Sequence, residues 1–147
     1  MARLLRGLVR FTLSFFLFSD SVPISEVCSY APNSLSYEDM SNKFISWHGI
    51  FGIELEEYYV YFYSPYCGHC QTIKDKVIQY ALCGAIQLFF VSPSNEVLLG
   101  MNIELTIGAS SIEALWILGY PSLLKIKEST VAMNIPGATT IIELLST

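Results

Sequence analysis

The pattern of apolar residues along the 147-residue chain predicts an α/β domain, a mixed sheet covered by helices on both faces. Three observations carry that expectation. YYVYFY at Tyr58–Tyr63 is a continuous aromatic and β-branched run, as expected of a central strand with both faces covered. A helical stripe of Cys70, Ile73, Val77 and Ala81 follows it and leads into a second apolar run, IQLFFV at Ile86–Val91. Such a strand–helix–strand unit implies a parallel pair with a right-handed crossover. Further on, SLLKIK at Ser122–Lys127 and VAMNI at Val131–Ile135 are separated only by Glu128-Ser129-Thr130, the spacing of an antiparallel hairpin. One parallel pair and one hairpin make the sheet mixed.

The remaining elements follow in order. Residues 1–21 read as a secretory signal or an N-terminal anchor. Arg3, Arg6 and Arg10 form a basic start, Phe11–Phe18 an apolar run, and Ser19 and Ser21 the small residues of a cleavage site. Three readings stay open: a cleaved signal, an uncleaved membrane-surface tether, and an ordinary amphipathic N-terminus. The run is too short for a transmembrane helix, which needs about 20 apolar residues. The expected location is therefore the secretory pathway or another extracytoplasmic space, with the chain secreted or anchored.

Residues 22–147 are expected to form one domain. Ser36-x-x-Asp39 is the acidic variant of a capping box, and Tyr37, Met40, Phe44 and Trp47 then share one helical face up to Gly49. The central helix starts after Ser64-Pro65 and stops at Gly84. Leu98–Leu105 reads as a short strand or a packed loop, and Ser111–Ile117 as a short helix. Pro136-Gly137 makes the last turn before a helix bearing Ile141, Ile142, Leu144 and Leu145.

With 52% hydrophobic and 14% charged residues, and a mean hydropathy of +0.47, the composition is that of a globular domain, not a disordered chain. The net charge is −5, and all three arginines precede every acidic residue. Without residues 1–21, five lysines would face twelve acids, leaving −7. An acidic domain is poorly suited to nucleic acid, whose binders neutralise phosphates with basic patches.

The chemistry is concentrated at Cys67-Gly68-His69-Cys70, directly after the strongest strand and at the start of the strongest helix. A sulfur at a helix N-terminus meets unpaired N–H groups and the positive end of the dipole, which favour its thiolate. That position makes Cys67 the attacking sulfur and Cys70, on the same side of the helix, the resolving one. His69, as a cation or a hydrogen-bond donor, would stabilise the thiolate and make the pair more oxidising. Gly68 leaves the approach uncrowded, and Tyr63, Pro65 and Tyr66 offer an apolar platform for an extended chain. Two blander readings stand beside this one. The pair could be half of a zinc site, but structural zinc takes four ligands, and only His48 and His69 supply imidazoles. It could be an inert staple, but so short a loop gains little entropy.

The segment YVYFYSPYCGHCQTIKDKV resembles the active-site segment of the thioredoxin superfamily, particularly its protein disulfide isomerase branch, and GYPSLLKIK at Gly119–Lys127 resembles that family's second signature. The resemblance covers roughly Tyr58–Leu145. It implies a thioredoxin-like fold and a thiol–disulfide oxidoreductase acting as oxidase or isomerase. No metal or organic cofactor is needed beyond a reversible Cys67–Cys70 disulfide. It further implies that Pro121 is a cis proline facing the cysteines and that the Tyr120 backbone pairs with the bound substrate. Expected partners are protein thiols and disulfides, unfolded or extended polypeptide, and a redox partner protein. A trans turn proline is the plain alternative at Pro121.

Departures from the family pattern are equally legible. Tyr66 stands where Trp is usual, Tyr61 where a buried acid is usual, Asp75 where a proline often kinks the helix, and Ser92 where an acid commonly ends the next strand. They motivate a second reading, a redox-inactive peptide-binding module on the same fold. Of the other cysteines, Cys83 reads as a small core residue, and Cys28 as a free thiol, a dimer link or a bridge to Cys83. Trp47 and Trp116 read as packing residues.

Overall fold

The computed structural model describes residues 35–147. The expectations for residues 1–21, and for Cys28, lie outside the described residues. Four strands form one sheet: β1 (Glu57–Phe62), β2 (Leu88–Val91), β3 (Ser122–Lys127) and β4 (Thr130–Pro136), in the order β2-β1-β3-β4. β1 pairs parallel to β2 and antiparallel to β3, and β3 pairs antiparallel to β4. Two α-helices, α1 (Gly68–Cys83) and α2 (Ala138–Leu145), pack together on one face. The opposite face is covered by short 3₁₀ helices, including Trp47–Gly49 and Ile112–Ala114, with the loops around them. The predicted mixed sheet with helical elements on both faces is the observed one.

β1 is central because nearly every residue on it can be buried. Tyr59 and Tyr61 point to the α-helical face, and Tyr58, Val60 and Phe62 to the other. All five are at most 4% exposed. The α1 stripe read from sequence is the buried one, joined by Ile78. Gly84 caps its C-terminus, where a Cβ would press into the Tyr80 ring. Gly137 precedes α2 at φ 87, a left-handed conformation that suits glycine.

Four local expectations need correction. The stripe Tyr37–Trp47 is not one helix. Its capping box forms, with Asp39 accepting from the Ser36 backbone N–H at 2.7 Å, but the 3₁₀ helix Tyr37–Lys43 ends at an extended Phe44. Phe44 bridges Phe90, and the Ile45 N–H donates to the Phe90 carbonyl at 2.9 Å. The otherwise open edge of β2 thus takes this backbone away from the helix. The expected helix at Ser111–Ile117 contracts to Ile112–Ala114 because Ile117 bridges Leu99. The hairpin turn has two residues, Glu128 and Ser129, both at positive φ, and Thr130 already belongs to β4. Cys83 is disulfide-bonded and half-buried rather than a plain core thiol.

Candidate functional site

β1 ends at Phe62, and the chain turns through Ser64-Pro65-Tyr66 into the N-terminus of α1. Cys67 is the N-cap of that helix, in extended backbone, and its sulfur accepts the Cys70 N–H at 3.2 Å. A sulfur thereby fills the place a Ser or Asp oxygen commonly takes, satisfying an N–H that the first helical turn leaves open. Cys67 is half-buried, Cys70 is fully buried, and both are free thiols.

The two sulfurs meet different surroundings. The Cys67 thiol donates to the Tyr120 carbonyl at 3.4 Å, although 53 residues separate them in sequence. The Tyr120–Pro121 bond is cis. Leu118, Gly119, Tyr120 and Pro121, with Pro136 and Gly137, line an open and mainly apolar depression beside this contact. Cys70 faces inward, among Tyr61, Ile73, Val77 and Leu123. Burial, the largest cause, pushes the Cys70 thiol up to about 12, and the neighbouring Cys67 sulfur adds to the rise. A half-buried thiol at the rim and a fully buried thiol behind it are therefore three residues apart on one helical turn.

The structure brings Cys67, Cys70, Tyr120 and Pro121 together. Gly68, His69 and Tyr66 stand on the outer rim. Tyr66 is 97% exposed, and a Cβ at Gly68 would meet nothing within 4 Å. His69 is exposed, and no hydrogen bond or ion pair among the described residues ties it to either sulfur. Tyr63 does not belong to the expected apolar platform. It is 4% exposed, with its ring 4.2 Å from that of Tyr37, because strand alternation turns it into the core. Asp75, at the usual kink position, is half-buried and lies 3.7 Å from the Lys74 ammonium.

Sequence reasoning missed Tyr37. Its hydroxyl donates to the Cys70 carbonyl at 2.7 Å and lies 3.1 Å from the Tyr61 hydroxyl. The only signal was its place on an apolar stripe, which says that it is buried but not what its hydroxyl meets. Among the described residues, no group of three or more His, Cys, Asp or Glu side chains could hold a metal ion. No described helix is long and apolar enough to cross a membrane.

No protein-family model matches the chain, and the search of curated proteins found no match. Solved structures do match. A thioredoxin from Plasmodium falciparum is similar with a TM-score of 0.50 and 19% identity, over 71% of this chain and 96% of that one. Thioredoxin f2 of Chlamydomonas reinhardtii gives 0.48 and 16%, over 70% and 89%. Mitochondrial thioredoxin 3 of Saccharomyces cerevisiae gives 0.42 and 15%, over 78% and 95%. Strand order, the helix pair and the first of these likenesses agree: this chain has the thioredoxin fold.

Proposed function

We propose that the protein is a thiol–disulfide oxidoreductase, resembling a disulfide isomerase domain, that acts on protein cysteines by mixed-disulfide exchange. The observation that carries this reading is the asymmetric sulfur pair, with Cys67 at the helix terminus and Cys70 buried behind it. In the oxidised form, a substrate thiolate attacks Cys67, the Cys67–Cys70 bond breaks, and Cys70 leaves with the electron pair and takes a proton. A second substrate thiolate then displaces Cys67, so the substrate is oxidised and the pair reduced. Run backwards, the same steps reduce a substrate disulfide.

Tyr120 and Pro121 supply the wall against which an extended chain lies, and Tyr66 an exposed aromatic surface on the other side of Cys67. His69 supplies a donor or a cation to the sulfurs during exchange. No organic cofactor or metal is required, since electrons enter and leave through partner thiols. The basic and apolar residues 1–21 suit action in the secretory pathway or another extracytoplasmic space, as a secreted or tethered domain. The CGHC motif favours the oxidising direction, as oxidase or isomerase.

The test is oxidative refolding of a reduced disulfide-containing protein, with the potential measured in glutathione buffers. Turnover that disappears in Cys67→Ser supports the reading. A potential near about −270 mV would defeat the oxidase or isomerase assignment and leave a reductase. The exposed Tyr66 and Leu118 beside the cysteines favour one second reading, a peptide-binding module without turnover. It requires that Cys67→Ser bind unfolded chains as well as the unaltered protein, and that the unaltered protein refold nothing.

A further inference from the structure

The loop between β2 and β3 carries a run of exposed apolar side chains. Leu98, Leu99 and Met101 are 47%, 63% and 82% exposed. Leu99 is extended, in a parallel bridge with Ile117. The Ile117 N–H donates to the Leu98 carbonyl and the Gly100 N–H to the Ile117 carbonyl, each at 3.0 Å. Those two bonds use the neighbours of Leu99, so its own N–H and carbonyl point to the outer side. No hydrogen bond among the described residues engages either group. The inner side is pinned further by Trp116, whose indole donates to the Asn102 carbonyl at 3.2 Å. The edge is therefore held in place with one donor and one acceptor open.

An open donor and acceptor on one extended residue, among exposed apolar side chains, fit a second extended backbone. A lipid surface fits them badly, because hydrocarbon leaves such groups unsatisfied. Charge narrows the partner. No lysine or arginine occurs between Lys76 and Lys125. Beside Leu98 the surface dips between Glu96 and Glu113, over Trp47 and Ile112. His48, 3.6 Å from Glu96, is the only basic side chain lining that depression.

We propose that Leu98–Met101 is a docking edge for a partner polypeptide: an extended, apolar segment pairs its backbone with Leu99 and sets a basic side chain between Glu96 and Glu113. The docked strand lies about 10 Å outward from Ile117, two strand spacings. It needs no sulfur and is separate from the contact of Cys67 with the Tyr120 carbonyl. Main-chain bonds supply the attachment, and the acidic depression selects the segment.

The experiment measures fluorescence anisotropy of a labelled, cysteine-free peptide of alternating valine and threonine ending in lysine, titrated with the reduced full chain. Leu99→Pro deletes the outward N–H without breaking a bond of the fold, and proline suits extended backbone. It should bind the peptide about tenfold more weakly, the size of one hydrogen bond. Leu99→Val keeps the N–H and should bind as the unaltered chain does. Equal binding by the proline variant, or equal loss in both, overturns the proposal. If Leu99→Pro fails to fold, the peptide carries the test. Methylating one set of alternate amides should abolish binding to the unaltered chain, and methylating the other set should spare it, because the two sets face opposite edges of a strand. Equal affinity of the two forms overturns the proposal. A peptide ending in glutamate should bind several-fold more weakly, and equal binding overturns the basic partner. Cosedimentation with phosphatidylcholine vesicles in place of peptide binding, or a dimer that Leu99→Pro abolishes, would overturn it by putting a membrane or a second copy on this edge.

Discussion

The two faces of the sheet are built from alternate residues of the same strands, yet they bury different chemistry. Beneath α1 and α2 lie the phenols of Tyr37, Tyr59, Tyr61 and Tyr63, together with the Cys70 thiol. The opposite face is mostly aliphatic, with Val60, Leu115, Ile117, Leu124, Ile126 and Val131 around Phe62 and Trp47. The first face is roofed by regular helices. The second is closed by loops that leave Leu99, Met101 and Leu105 between 63% and 82% exposed. Among the described residues, both free thiols lie on or against the first face, at the start of α1. The second face supplies core and a looser cover.

The largest expected effect follows from the proposed function, which puts the disulfide chemistry on the first face. Cys67→Ser should remove disulfide exchange altogether while leaving the circular dichroism spectrum unchanged, because the serine oxygen can still accept the Cys70 N–H. Cys70→Ser should instead leave attack intact and accumulate mixed disulfides, visible by mass under non-reducing conditions.

Next comes a contrast in stability. Phe90 is fully buried, with its ring within 6.4 Å of Tyr37, Phe44, Tyr61 and Tyr63. Phe90→Ala should cost about 3–5 kcal/mol in urea unfolding. Leu105→Ser, in the exposed cover of the other face, should stay within about 0.5 kcal/mol. Similar losses at both positions would erase the distinction between a tight roof and a loose one.

Alkaline pH should weigh more on the first face, although burial also raises the Tyr58 phenol on the other. The Cys70 thiol is raised from 9.0 to about 12, by burial first. Between those values the unfolded chain loses this proton while the folded reduced chain keeps it, so stability falls as pH rises from about 9 to about 12. Tyr37 and Tyr61 extend the same loss above 10.0. Urea midpoints across this range should fall less steeply in Cys70→Ala than in the unaltered reduced protein.

Smaller effects sharpen the picture of the loop face. A Cβ at Gly100 would press into the Trp116 indole, near its attachment rather than its far edge. Gly100→Ala should therefore cost about 1–3 kcal/mol, through displacement of Trp116 from its bond to the Asn102 carbonyl. The smallest effect is expected at Glu57, whose carboxylate holds the Lys125 ammonium at 2.6 Å and above its ordinary range. Both groups are partly exposed, so Glu57→Gln should cost under about 1 kcal/mol, a difference that salt reduces further.

Much of this architecture was legible in the residues themselves. Tyr58–Tyr63 has the side chains of a strand buried on both faces, and α1 repeats its apolar residues with a helical period between a CxxC motif and Gly84. Those patterns are local, and local patterns survive folding when nothing competes with them. At Phe44 something does compete. The stripe Tyr37–Trp47 has the helical period, but the edge of β2 offers backbone partners that only the folded sheet presents. Tyr63 shows the same limit in the other direction: its nearness to the motif suggested a surface role, whereas strand alternation buries it.

The sequence by itself determined the mixed α/β sheet, the pairing of a rim sulfur with a sulfur one turn inside the helix, and the hairpin that follows. Each depends on periodicity or on neighbours within a few positions. Only the tertiary structure decided that the Tyr120 carbonyl receives the Cys67 thiol, and that Tyr37 and Tyr61 join their hydroxyls behind Cys70. These contacts span 24 to 53 residues of chain. A hydroxyl's partner at that range is set by the register of strands and the seating of a helix, which no window of sequence contains.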